Sequence, residues 1–238
     1  MPLSYSVAYK DIGRKDYQEA WDFQAEIFSK LVDNKKGGKG VAKIGENVLP
    51  GTLIFVEHPH VYTLGKSGSE TNLLLDHIQL KAKDASFYRI DRGGDITYHG
   101  PGQIVGYPIF DLDVLKLGLK EYIYKLEEII IRTVAEFGLS ASRLEGGTGV
   151  WLDPDINGKA RKICAIGVRA SRYITMHGFA FNVNTDLTYF NNINPCGYTD
   201  KGVTSLEKEL EGRQDFESVK SIVKRNIQEV FDLEWTNQ

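Results

Sequence analysis

Cys196 stands between Pro195 and Gly197 in the stretch INPCGYTD, residues 193–200, and is one of only two cysteines in the chain. A structural cysteine is ordinarily a small hydrophobe inside an apolar strand or helix. The Asn194-Pro195-Cys196-Gly197 frame instead reads as a turn that presents a side chain. A thiol presented in this way has nucleophilic chemistry within reach, because its thiolate is reactive once a neighbour favours ionisation. A second centre is RGGDITYHGPGQIVGYPIFDL, residues 92–112, which sets Arg92, Tyr98 and His99 among Gly93, Gly94, Gly100, Gly102 and Gly106. Glycines at that density let backbone approach a ligand and turn N–H groups inward. The segment is no Walker loop, since no Gly-Lys-Ser/Thr follows. Nor do its glycines open a helix after a strand, as a dinucleotide fingerprint requires. Two readings stay open, glycine-rich turns joining strands or a binding wall, and the arginine, tyrosine and histidine favour the wall.

His99 and His177 each precede a glycine, and imidazole carries protons near neutral pH. His58 and His60 flank Pro59 without a visible third ligand, so no metal site is expected.

These residues need a scaffold, and the chain supplies one. Its 238 residues are 42% hydrophobic and 26% charged with net charge −3, the profile of a globular protein whose core needs neither disulfide nor metal. The balance argues against a general nucleic-acid binder. No secretory signal and no membrane-spanning run is visible, so a reducing cytoplasm is expected, with Cys196 a free thiol. Residues 14–34 have helical spacing, with Tyr17, Trp21, Ala25 and Phe28 on one face; 114–138 repeat it with Tyr122, Leu126, Ile129, Ile130 and Val134, up to Gly138. A third helix covers 215–233, with Asp215 as N-cap. Strands are expected at 4–9, 52–58, 61–65, 87–92, 107–112, 148–152, 162–170 and 177–183. Many strands, few helices and no regular alternation predict an α+β fold with a mixed or antiparallel sheet flanked by helices, in a single domain over 1–238. The Gly/Lys-rich stretch 35–47 reads as an exposed hairpin or loop; Lys35, Lys36 and Lys39 there are a candidate basic docking edge.

The pattern R-G-G-x-x-T-Y-H-x-x-G-Q-x-x-x-Y from Arg92 to Tyr107 resembles the signature of the octanoyltransferases of lipoate biosynthesis, the LipB family. HPHVYTLG at 58–65, GVW at 149–151, KICAIG at 162–167, HGFAFNV at 177–183 and INPCGY at 193–198 follow in the family order. The resemblance implies the fold of the biotin and lipoate protein ligase catalytic domain. It also implies transfer of an octanoyl group from octanoyl-acyl carrier protein to a lysine of lipoyl domains, such as those of 2-oxoacid dehydrogenase E2 subunits and the glycine cleavage H protein. It assigns Cys196 the thioester and Lys162 the proton transfers, with no metal, nucleotide or organic cofactor and a monomeric enzyme. As substrate-binding residues it implies Arg92, Gly93, Gly94, Asp95, Ile96, Thr97, Tyr98 and His99, then Ala165, Ile166 and Gly167, then Gly178, Phe179 and Ala180. It also implies His99 and His177 as walls of the pocket and donors toward the acyl carbonyl, and backbone amides of 178–180, or near Cys196, are further candidate donors.

Cys164 lies two residues beyond Lys162, so strand alternation predicts that both face the same side; a packed small hydrophobe is the favoured reading of this thiol. Two other readings stay open: an ATP-dependent lipoate or biotin ligase, and a non-catalytic module that binds acyl carrier or lipoyl domains.

Overall fold

β8 (Gln103–Phe110), buried at every position, is the middle of an eleven-stranded mixed sheet in the computed structural model, which describes residues 5–38, 42–44, 47–194 and 201–236. The order across the sheet is β2 (Lys43–Ile44), β3 (Asn47–Val48), β1 (Tyr5–Arg14), β4 (Gly51–Glu57), β8, β12 (Ile174–Asn182), β11 (Arg161–Ser171), β10 (Gly147–Leu152) and β9 (Ser142–Leu144). Beside β11 lies β13 (Gly202–Val203), and beside β1 lies β14 (Leu233–Trp235); β1 pairs in parallel with β3, β4 and β14, as β13 does with β11. A smaller sheet orders β6 (Ser86–Arg89), β5 (Val61–Leu64) and β7 (Ile96–His99). The α+β class with a mixed sheet and flanking helices is therefore as expected. No helix among the described residues is long and apolar enough to cross a membrane.

Helices cover both faces of the main sheet. On one, α3 (Leu119–Ala135) buries Tyr122, Leu126, Ile129, Ile130 and Val134, the predicted stripe, against Phe55, Phe110, Phe179 and Phe181. Beside it runs α5 (Phe216–Phe231), whose cap Asp215 accepts from the amides of Glu217 and Ser218. On the other face, α1 (Tyr17–Lys36) packs on Ile54, Val56, Val105, Tyr107, Ile109, Met176 and Ala180. Its buried line is Tyr17, Ala20, Gln24, Phe28 and Val32, with Trp21 and Ala25 only partly buried. The stripe is rotated from the expected one, and it brings the amide of Gln24 against the sheet. The short helices α2 (His77–Ala82) and α4 (Leu206–Glu209) complete the set.

Two members of the proposed basic edge are ion-paired within the protein. Lys35, in the last turn of α1, is ion-paired to Asp111 at 2.8 Å and Asp113 at 2.6 Å, and Lys36 to Asp33 at 3.3 Å. Lys39 lies outside the described residues.

Candidate active site

β11 carries an irregularity that decides which of its side chains meet. Val150 pairs with Cys164, but the next residue, Trp151, pairs with Lys162, so β11 has one extra residue, a β-bulge at Ile163. The bulge resets the alternation. Ile163 and Cys164 both enter the core beneath α3 and α5, while Lys162 shares a cavity with Ala165 and Gly167. The expectation that Lys162 and Cys164 face the same side is thereby overturned. Cys164 is fully buried, and burial pushes its thiol well above the usual range, leaving it an inert hydrophobe.

The cavity, about 470 Å³, lies on the α1 side of the sheet. Its sheet surface is made of small residues, Ala165 and Gly167 on β11 with Gly178 and Ala180 on β12, and Val105 on β8. A Cβ on Gly167 would come within 3.0 Å of Cδ of Arg92 and of the Gly93 carbonyl, so the glycine-rich loop rests directly on β11. Arg92, Gly94, Asp95, Ile96, Thr97 and His99 form the facing wall, and Ile166 and Phe179 also line the space. β12 is paired on both flanks at this level, with Ala180 opposite Ala165 and Val105. Gly178 and Ala180 thus offer the cavity a surface of small side chains.

Two predicted wall residues fall elsewhere. Tyr98 is fully buried on the far side of β7, packed with Tyr62 and Ile96, and its hydroxyl is hydrogen-bonded to Nδ1 of His60 at 2.7 Å. Gly93 is tied by its amide to the Val168 carbonyl at 2.9 Å and does not line the space. Alternation along β7 separates Tyr98 from its neighbours Thr97 and His99.

A hydrogen-bonded chain connects the glycine-rich loop to Lys162. Nη2 of Arg92 donates to the carbonyl and Oγ1 of Thr63, at 2.8 and 3.1 Å, and Thr63 Oγ1 lies 3.4 Å from Nε2 of His99. Nδ1–H of His99 donates to Gln103 at 2.9 Å, Gln103 to Asn182 at 2.8 Å, and Asn182 to the carbonyl of Thr204 at 2.9 Å. The Thr204 amide then donates to the Lys162 carbonyl at 2.9 Å. Burial lowers the His99 pKa to about 3, so its ring is neutral and its tautomer is set by Gln103. His58 behaves likewise, giving Nδ1–H to Lys15 O and accepting from Tyr107 OH, with its pKa pulled down to about 4 by burial. Among the described residues no three His, Cys, Asp or Glu side chains group as metal ligands.

Cys196 falls within 195–200, outside the described residues. The described residues on either side bear on the same cavity: Asn194, Lys201, Gly202 and Val203 line it together with Lys162. Asn194 donates its amide to Asn72 O at 2.8 Å, and β13 runs parallel to Arg161 and Lys162.

His177, expected as a wall, does line the cavity, while several lining residues were not anticipated: Tyr17, Gln103, Tyr107, Trp151 and Asn182. Gln103 and Tyr107 belong to the same spaced pattern as Arg92 and His99, a signal that was available; Tyr17 has none, being the first residue of a helix far upstream. His177 is unexpected in orientation. Alternation would group it with Phe179 and Phe181 under α3, yet its φ is +62° and its contacts are with Asp91, Trp21, Tyr107 and Gln24 on the α1 side. The β8–β12 ladder stops at Phe179 and Gly106, two positions before Pro108, which has no N–H to continue it.

Residues 16–228 match the family described as lipoyl protein ligase A/B catalytic domain. The octanoyltransferase of Parabacteroides distasonis is 54% identical over 226 residues, 95% of this chain and 99% of that one. The octanoyltransferase of Cytophaga hutchinsonii is 51% identical over 233 residues, 98% and 95% of the two chains. Among solved structures, the bi-partite lipoate protein ligase of Thermoplasma acidophilum has a TM-score of 0.67 at 13% identity, covering 98% of this chain and 87% of that one. A lipoate-protein ligase A bound with ATP has a TM-score of 0.69 at 14% identity, covering 99% and 89%. At such identities these structures share the fold. From the long, near-full-length likeness to the curated relatives, the chain belongs to the lipoyl protein ligase A/B catalytic family, among its octanoyltransferases, and is an acyltransferase.

Proposed function

We propose that the protein moves an octanoyl group from octanoyl-acyl carrier protein to a lysine of a lipoyl domain, through a thioester on Cys196 and with Lys162 handling the protons. The observation that carries the reading is that Lys162 lines the cavity together with Asn194 and Lys201, the described residues that flank 195–200 in the chain. The burial of Cys164 supports it further, by leaving Cys196 the thiol available for chemistry.

A lysine ammonium beside a cysteine favours the thiolate. In the first half-reaction the Cys196 thiolate attacks the donor thioester carbonyl. The carbon–sulfur bond to the carrier breaks, and the departing thiolate takes a proton from Lys162. In the second, the acceptor amine attacks the acyl-enzyme, the neutral Lys162 takes its proton, and the Cys196 thiolate leaves, which restores the starting state. Splitting the transfer means that the two protein substrates need not dock together. The small-residue surface of Ala165, Gly167, Gly178 and Ala180 gives the acyl chain an apolar bed.

The test is intact-mass analysis after mixing with octanoyl-acyl carrier protein. A thiol-labile octanoyl adduct should form on the wild type and on Cys164→Ser, and not on Cys196→Ala. An adduct that persists in Cys196→Ala sinks the assignment. No adduct on the wild type with a competent donor, together with pyrophosphate release from lipoate and ATP, would make the protein a ligase.

A further inference from the structure

A buried carboxylate stands behind the part of the wall that carries Lys162. Glu127, on α3, is 7% exposed and does not line the cavity, yet its side chain reaches both β9 and β10. Oε1 accepts from the Gly149 amide at 3.0 Å, and Oε2 accepts from Nε of Arg143 at 3.1 Å. Arg143 also donates to Glu128 at 2.9 Å and to the Tyr124 carbonyl at 3.0 Å, and its guanidinium lies 3.5 Å from the Tyr124 ring centroid. A carboxylate this deep needs a counter-charge and bonded oxygens, and it has both.

The strand pairing shows why an acceptor is needed there. The β9 pairing jumps from Gly147 to Trp151, and the β11 pairing starts at Val150, so both ladders leave Gly149 without a cross-strand residue. A buried N–H left unbonded is costly, and Glu127 takes it from the helix side. The bond fixes a piece of the cavity wall. Gly149 lies against the Lys162 side chain, where a Cβ would stand 3.4 Å from Cε and 3.5 Å from Cδ. Gly146, Gly147 and Thr148, just before it, line the cavity together with Lys162. With three glycines in four residues, this stretch has little stiffness of its own, and a tether from outside has to set it.

We infer that Glu127 is a positioning residue for the transfer chemistry: through the Gly149 peptide it holds the Lys162 side chain where the thioester is formed and broken. The inference rests on the acyl-transfer reading above and extends it to a residue outside the cavity. An ion pair that merely tied α3 to β9 would behave differently. Breaking such a pair from either side would have the same effect, whereas here the arginine can be removed and the acceptor oxygen cannot.

The experiment follows single-turnover acylation by octanoyl-acyl carrier protein, read by intact mass over a range of donor concentrations, with calorimetry on the same samples. Glu127→Leu should lower the limiting rate by about 10-fold or more with the half-saturating donor concentration nearly unchanged, because a small displacement of a catalytic group is enough. Arg143→Leu should melt below wild type yet keep its rate within about threefold, because the Gly149 bond survives. The double variant Glu127→Gln with Arg143→Leu, whose amide oxygen is free for the Gly149 N–H, should also keep its rate despite the lost ion pair. Equal losses of rate in Glu127→Leu and Arg143→Leu would overturn the inference, as would an undiminished rate in Glu127→Leu. If Glu127→Leu does not fold, Glu127→Asp replaces it: the charge stays for Arg143 while the carboxylate is drawn a methylene away from the amide. That variant should show the same loss, and a wild-type rate in it overturns the inference. Failure of the donor to acylate the wild type would instead count against the acyl-transfer reading.

Discussion

Nζ of Lys162 lies 4.6 Å from the ring centroid of Trp151, its cross-strand partner between β10 and β11. Trp151 is 2% exposed and Lys162 half-buried. A cation over an indole face gains about 0.5–1 kcal/mol at exposed sites and about 2 kcal/mol when desolvated. The indole therefore favours the ammonium and fixes where it stands.

Replacing Trp151 by leucine should lower kcat for acyl-enzyme formation by about 10-fold with little change in KM for the donor, an effect of the size expected for about 1.4 kcal/mol. Trp151→Phe, which keeps an aromatic face, should retain most of the activity. Single-turnover acylation kinetics read both, and equal rates for the leucine and phenylalanine variants would remove the ring from the account.

Gly149 gives the lysine side chain its passage. Its φ is +116°, and a Cβ there would stand 2.6 Å from the Cys164 carbonyl oxygen and 3.4 Å from Cε of Lys162. Its amide donates to Glu127 at 3.0 Å. Gly149→Ala should cost about 2 kcal/mol or more in stability from backbone strain and contact with fixed backbone, and it should slow acylation by displacing Lys162. Denaturant unfolding and acylation rates measured on the same samples check this; an alanine variant as stable and as fast as wild type contradicts it.

Gln103 holds the middle of the hydrogen-bonded chain between His99 and Asn182. Gln103→Leu leaves the Nδ1–H of His99 and the Oδ1 of Asn182 without that partner in a buried setting, at about 1–3 kcal/mol for each unsatisfied group. For a chain of this size the melting temperature should drop by about 5–10 °C. Calorimetry decides, and a drop of less than about 2 °C would mean that water replaces the lost bonds.

Acid should destabilise the fold well before its carboxylates titrate. Burial lowers the pKa of His58 to about 4 and of His99 to about 3, and lowers that of His177 despite the opposing pull of Asp91. Unfolded, each imidazole titrates near about 6.5. Between that value and the folded one, the unfolded chain binds protons that the folded chain does not, so stability falls as pH drops through the window and is insensitive to these groups above it. The slope approaches about 1.4 kcal/mol per pH unit for each histidine. The Asp91 carboxyl, held below its usual range first by its hydrogen bond from His177, adds a loss in the same direction at still lower pH. Melting temperatures should therefore decline between pH 7 and 5, and more shallowly in His99→Gln. A wild-type melting temperature flat across that interval would show that the rings are hydrated.

How far the sequence carries depends on whether a feature is local or long-range. The stripe of α3, the Asp215 cap and the halt after Ala135, with Gly138 at φ +76°, follow from residues within a turn or two of one another. The glycine-rich wall and the Lys162, Ala165 and Gly167 positions were likewise legible, because their spacing resembles a known pattern. Period-two reasoning failed at Ile163 and at His177 for one physical reason. Alternation assumes an unbroken ladder, and whether a ladder is broken depends on the partner strand, here β10 in one case and Pro108 of β8 in the other. The same holds for Tyr98, whose side of β7 is chosen by the small sheet it joins, and for Gln24, a polar residue that becomes buried because α1 crosses the sheet over His177. Residue types and local spacing determined the elements and the kinds of chemistry available. Only tertiary structure decided which thiol is buried, which lysine reaches the cavity and which carboxylate stands behind it, since each of those depends on pairing between segments that the order of residues leaves far apart.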